Sequence, residues 1–253
     1  MEKTPNEFIK AADFKEGVLL LIDKPKGWTS FDVVNKVRNQ LRWNLKLGKK
    51  IKVGHAGTLD PMATGLLVLC TGKMTKQIQY LQAEDKSYTG TLVLGATTPS
   101  YDTETAENET HDTTYLTEDM LHTAARSFLP GYDQIAPAFS AKKIDGKRAY
   151  LSARKGIDPK IPPRAVILHK FDLTGFALPE VHFDAVCSKG TYIRSLAFDL
   201  GRKVENGAYL NALRRYASGE FLIENALTLE EFEARVATME PYEENMEGEQ
   251  SSQ

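Results

Sequence analysis

Residues 54–70, GHAGTLDPMATGLLVLC, set three glycines, one histidine and one carboxylate ahead of a short apolar run. LLVLC (66–70), bounded by Gly65 and Gly72, is too short for a helix that must bury itself and reads as a buried strand. Gly65 and Gly72-Lys73 suggest a phosphate-binding loop, but the glycines stand two residues too far apart. Met74 also occupies the place where Ser or Thr should hold magnesium. A strand entered from a glycine-rich loop, without a nucleotide-binding fingerprint, turns the reading away from a doubly wound α/β sheet.

The flanking segments support that choice. Upstream, GVLLLID (17–23) reads as another buried strand, and KPKGWTS (24–30) as a turn closed by Pro25 and Gly27. In TSFDVVNKVRNQLRW (29–43), Phe31, Val34, Val37 and Leu41 recur at helical spacing, and Thr29 with Asp32 forms a capping box. Downstream, KMTKQIQYLQ (73–82) predicts a helix and KSYTGTLVLGATT (86–98) a strand. Thr117 caps a helix that stops at Pro130-Gly131, with Leu116 and Leu121 as its hydrophobic staple. AVILHKFDLTGFAL (165–178) and VHFDAVCS (181–188) read as strands, TYIRSLAFDLGRKV (191–204) and TLEEFEARV (228–236) as helices. Strands and helices do not alternate regularly, so the expected class is α+β: a mixed, largely antiparallel central sheet flanked by helices.

A chain of 253 residues with 42% hydrophobic content can bury a core without staples. It has no apolar run near the eighteen residues of a membrane span, and no h-region at its start. Cys70 and Cys187 lie in strand-like runs without a CxxC or a nearby histidine, which argues against a disulfide framework or zinc site and suits a reducing cytoplasm. The five histidines are scattered, so no metal is expected. The net charge is −2, yet residues 224–253 carry −8 and residues 101–120 carry −7, leaving +13 on the remainder. The two acidic segments read as solvated loop and tail, and the basic body admits a polyanionic partner.

Four places could carry chemistry. Asp60, before Pro61, is either an N-cap or a working carboxylate; the nearby glycines favour unusual backbone angles or close approach of a ligand. Tyr192 and Arg194 share a face if extended and splay apart if helical. Tyr88 sits in a strand. Residues 135–164 are rich in Lys and Arg with Phe139 and Tyr150 among them, as in an RNA-contacting arm or a solvated basic loop.

Taken in order, these segments resemble one family, the TruB-type tRNA pseudouridine synthases. The resemblance rests on GVLLLIDKPKGWTS (17–30), KVGHAGTLDPMATGLLVLCTGKMTK (52–76), DKSYTGTLVLGATT (85–98), PAFSAKKIDGKRAYLSARKGI (137–157), CSKGTYIRSLAFDLG (187–201) and ALRRYASGEF (212–221). It implies the pseudouridine synthase fold and isomerisation of uridine 55 in the tRNA T loop, with base flipping and no cofactor or metal. Asp60 would be the nucleophile. Arg194 would pair with it, Tyr88 would act in catalysis by stacking on the base and shuttling a proton, and Tyr192 and Leu213 would form the uracil pocket. His55 would stand beside the flipped nucleotide, and Lys24 and Lys76 would meet phosphates. The expected organisation is a leader (1–16), a catalytic domain (17–237) with an RNA-binding insertion at about 135–164, and an acidic disordered tail (238–253). Fewer than thirty residues follow Glu224, so no PUA domain is expected. The partner is the T arm of tRNA, met by a cytoplasmic monomer without a membrane. The alternative is a tRNA-binding chaperone that remodels the tRNA elbow, with catalysis secondary.

Overall fold

The segment that reads as a polar leader contains α1 (Ala11–Glu16), whose Phe14 is fully buried. It is followed by β1 (Leu19–Lys24) and α2 (Ser30–Trp43). The Thr29 side chain accepts from Asp32 N, and Asp32 accepts from Thr29 N, so the capping box closes as expected. These Thr29 bonds hold the Asp32 carboxyl below its ordinary pKa. The buried stripe of α2 is Val33, Val34, Val37 and Leu41, whereas Phe31, counted in the apolar repeat, is 60% exposed at the first turn.

The computed structural model describes residues 4–140, 142–144 and 146–243. They fall into two compact units, one of residues 4–61, 65–82 and 221–243 and one of residues 62–64 and 83–220.

In the first unit β2 (Val53–His55) and β3 (Thr64–Thr71) complete a small antiparallel sheet: β1 pairs with β3, Leu21 opposite Val68, and β2 pairs with β3, His55 opposite Leu69. Alternate residues of β1 and β3 face two apolar clusters. Leu20, Ile22, Leu67 and Leu69 pack with Val37 and Leu41, and Leu19, Leu21, Leu66 and Val68 with Ala56. Each fully buried side chain of this kind contributes about 1.5–3 kcal/mol. Residues 73–82, predicted as one helix, split into a 3₁₀ turn (Gly72–Gln77) and α3 (Ile78–Leu81). Gly72 has φ +49° and is wedged against α1; a Cβ there would lie 2.1 Å from the Lys15 carbonyl oxygen.

The second unit runs through β4 (Lys86–Leu94), β5 (Ala96–Thr97), β6 (Glu109–Thr110), α4 (Glu118–Arg126), β7 (Gly131–Gln134), β8 (Lys143–Ile144), β9 (Lys147–Arg148) and α5 (Ala149–Ala153). It continues through β10 (Arg164–Ala177), β11 (Glu180–Cys187), α6 (Ile193–Lys203) and β12 (Ala208–Ser218). Five strands form an antiparallel sheet in the order β12-β4-β11-β10-β7. Thr117 caps α4 by accepting from Met120 N, but the helix ends at Arg126, short of the expected stop at Pro130. The chain then closes the first unit with α7 (Leu229–Ala237), capped by Thr228 and Glu231 and anchored by the buried Phe232. The mixed, largely antiparallel α+β class is therefore the observed one. Most of the acidic tail, residues 244–253, lies outside the described residues, as does Asp145 of the basic arm. Among the described residues no helix is long and apolar enough to cross a membrane.

Candidate active site

In the first unit Asp60 lies on the loop between β2 and β3, half-buried. The Ser30 hydroxyl accepts from Leu59 N at 2.8 Å and donates to Leu59 O at 3.1 Å, so the start of α2 holds the residue before Asp60. Gly27 N donates to Pro61 O at 2.7 Å on the other side. Gly57 and Gly65 take φ +101° and +103°, angles that cost an L side chain about 1–2 kcal/mol. No helix starts at Pro61; residues 61–62 turn and the chain enters β3, so the N-cap reading of Asp60 is not realised.

His55 ends β2, five residues before Asp60. Lys24, expected to meet a phosphate, ends β1. It is fully buried, and its ammonium donates to the carbonyls of Trp28 (2.6 Å) and Pro25 (3.0 Å), which holds the KPKGW turn. Lys76 is exposed on the 3₁₀ turn.

The second unit holds the aromatic and arginine residues. Tyr88 is buried on β4, opposite Ala185 of β11 and Arg215 of β12. Leu213 is buried on β12 opposite Gly90, where a Cβ would meet the Phe183 ring at 2.5 Å. Tyr192 is the N-cap residue of α6. Its backbone N donates to Gln134 Oε1 (2.8 Å) and its carbonyl accepts from Gln134 Nε2 (3.0 Å). That glutamine also donates to Tyr132, whose hydroxyl donates to Asp199 at 2.9 Å. Burial pushes both the Tyr132 hydroxyl and the Asp199 carboxyl above their ordinary pKa values. Tyr192 packs against the buried cluster of Ala136, Ala149 and Ile161, as does Ile144, so the basic arm rests on the start of α6.

Arg194 sits in the first turn of α6, where a cation opposes the helix dipole, and only 4% of its side chain is exposed. Its Nη1 donates to the carbonyls of Ser100 (3.2 Å) and Phe139 (3.1 Å) and lies 3.4 Å from Asp102 Oδ2. Asp102, 2% exposed, is the residue that sequence reasoning missed. It opens the acidic segment read as a solvated loop, yet Tyr101 stacks on Phe198 at 3.9 Å and Thr98 donates to the Asp102 carbonyl at 2.7 Å. The usable signal is that a cation at the start of a buried helix calls for a carboxylate. Nothing local says which of seven acids supplies it.

Near Tyr88, the buried Lys86 is pushed down to about 8, first by desolvation and then by the Arg215 guanidinium. The thiols of Cys70 and Cys187 are free and buried, with pKa values raised by burial to about 12 and about 11. Among the described residues no group of three or more His, Cys, Asp or Glu could hold a metal ion.

Residues 43–193 match the TruB family pseudouridylate synthase (N terminal domain), and residues 194–247 the tRNA pseudouridylate synthase B C-terminal domain. A protein of Flavobacterium johnsoniae named tRNA pseudouridine synthase B is 49% identical over 230 residues, covering 91% of this chain and 98% of its own. One of the same name from Chloroherpeton thalassium is 48% identical over 233 residues, covering 91% of this chain and 95% of its own. Among solved structures, a Cbf5-Nop10-Gar1 complex aligns with TM-score 0.65 and 24% identity over 92% of this chain. An archaeal box H/ACA sRNP Nop10-Cbf5 complex aligns with TM-score 0.63 and 23% identity over 93%. The chain spans 60% of the length of each of those two solved chains, and at such identity the likeness bears on the fold alone. With more than half its length in the family match, the chain belongs to the TruB family of pseudouridylate synthases.

Proposed function

We propose that this chain, acting as a cytoplasmic monomer, isomerises the uridine at position 55 in the T loop of tRNA to pseudouridine. The observation that carries this reading is that relatives of nearly the same extent are named tRNA pseudouridine synthase B. The reaction is balanced within the nucleotide. The C1′–N1 bond breaks, the uracil turns, C1′ bonds to C5, and the proton lost from C5 is matched by one gained at N1.

A base detached from its sugar must be held while it turns, and a carboxylate that bonds transiently to ribose C1′ or uracil C6 does this. Asp60 is assigned that role. Arg194, already fixed by Asp102 and two carbonyls, keeps the Asp60 carboxylate ionised and oriented. Tyr88 stacks on the extruded uracil, with Tyr192 and Leu213 completing an apolar pocket. His55 stands beside the flipped nucleotide and steadies the rearranged loop, and Lys76 neutralises backbone phosphate. Extrusion of a base costs a few kcal/mol, which aromatic and apolar contacts offset.

The test is tritium release from a tRNA transcript labelled at C5 of uridine, run beside a transcript with cytidine at position 55. Release from the first alone supports the reading. Equal release from both moves the target elsewhere, and tight binding with no release from either favours the chaperone alternative.

A further inference from the structure

Within the first unit, a cavity of about 810 Å³ is lined by Lys46, Lys49, Lys50, Lys52, Lys73 and Lys76, together with Lys15 and Tyr242. The proposed chemistry uses only Lys76 of these seven lysines. Four fall within KLGKKIK (46–52), a stretch without an acid, and Gly72-Lys73 is the turn whose spacing fails as a nucleotide loop.

The wall is built rather than merely charged. Leu45, Leu47 and Ile51 are buried in the core, which turns the intervening lysines outward. Leu47 N donates to Leu41 O, Tyr242 N to Leu45 O, and Gly72 N to Lys52 O, at 3.2, 2.9 and 3.0 Å. Gly17 and Gly72 clasp α1 to the 3₁₀ turn; a Cβ at Gly17 would lie 2.6 Å from Met74 N. Lys15 is held over the Tyr242 ring, 3.6 Å from its centroid. Among the described residues, Lys73 is the one lysine of the seven with a carboxylate within reach, Glu16 at 2.7 Å. Like charges collected on a fixed frame cost free energy unless an anion offsets them.

We propose that this lysine cradle binds consecutive backbone phosphates of the RNA substrate, at nucleotides other than the one isomerised. The proposal rests on the tRNA reading above. Lys52, the residue before β2, and His55, its last residue, are three positions apart, about 10 Å at the usual strand rise, which sets the cradle off from the proposed reacting nucleotide. The cradle therefore adds affinity without touching the reacting base.

The test measures tRNA affinity against KCl concentration for the full chain, for the triple variant Lys49→Gln/Lys50→Gln/Lys52→Gln, and for Lys10→Gln, an exposed lysine outside the cradle. Each lost phosphate contact lowers the slope of log K against log salt by about 0.7–0.9, so the triple variant should lose about 2–3 and bind about tenfold or more weakly at about 100 mM salt. An unchanged slope, or the same loss in Lys10→Gln, would overturn the cradle. A measurement on the unaltered chain guards against misfolding of the variant: bound tRNA should protect Lys46, Lys49, Lys50 and Lys52 from acetylation but not Lys10. Equal labelling with and without tRNA contradicts the proposal. If the unaltered chain isomerises tRNA while the triple variant binds normally, the cradle alone fails. If it binds through the cradle but releases no tritium, the proposed reaction fails and the cradle stands.

Discussion

The two units hold their candidate residues by different means. In the first, Asp60 depends on a loop set by backbone bonds, one serine and two glycines with positive φ. In the second, Tyr88, Leu213 and Arg194 sit on sheet and helix, and Arg194 is fixed by a buried carboxylate and two carbonyls. A loop set by backbone bonds and turns can place a carboxylate accurately while contributing little to global stability. A buried ion pair within a sheet and helix framework ties placement to stability. Substitutions in the first unit should therefore strike activity more than stability, and those in the second should strike both.

Asp60 itself aside, the largest expected effect is at Asp102. Removing one partner of a buried ion pair costs about 3–5 kcal/mol, because the remaining charge keeps its desolvation cost with less compensation. Asp102→Ala should lower the urea stability by that order and slow tritium release. A loss below about 1 kcal/mol would erase the contrast between the units.

Next comes Ser30→Ala. It removes the hydroxyl that both donates to and accepts from Leu59, a loss of about 1–3 kcal/mol. A displacement of about 1 Å in a reacting group can cost about a hundredfold in rate, so activity should fall further than stability. Equal melting temperature and equal rate in Ser30→Ala and the unaltered chain would show that the Asp60 loop does not need this support.

The smallest effect is a pH dependence at Lys86. Its folded pKa is lowered from 10.5 to about 8, so between these values the unfolded chain binds more protons than the folded one. Stability should therefore gain from this group as pH rises through the window. Urea midpoints measured from about pH 8 to 10.5 should rise less steeply in Lys86→Met than in the unaltered chain; parallel profiles would place the titration elsewhere.

The same contrast governs what could be read from the residues alone. The strands around residues 19–24 and 66–70, and the helix capped by Thr29 and Asp32, are legible because apolar runs and caps act locally. Phe31 fits the helical repeat but lies before the buried stripe settles. β12 is not marked in the same way: bulges between Leu210 and Ala212 and between Arg215 and Ala217 break its period of two, and the fully buried Arg215 resembles a surface position. Asp60, Tyr88, Tyr192 and Arg194 were legible as candidates through their motifs. Asp102 was not, because its role depends on Arg194 far along the chain. Lys24 reads as a phosphate ligand by its motif, yet the turn that follows it supplies the carbonyls that bury its charge.

The central claim is that the Asp60 carboxylate performs chemistry while RNA affinity resides elsewhere. It is tested most directly by measuring T-arm RNA binding and single-turnover tritium release on one preparation of Asp60→Asn. The amide keeps the size of the side chain and removes the nucleophile. The account predicts a dissociation constant within about threefold of the unaltered chain, and release slowed by at least about a thousandfold. Release within about tenfold of the unaltered rate would contradict it.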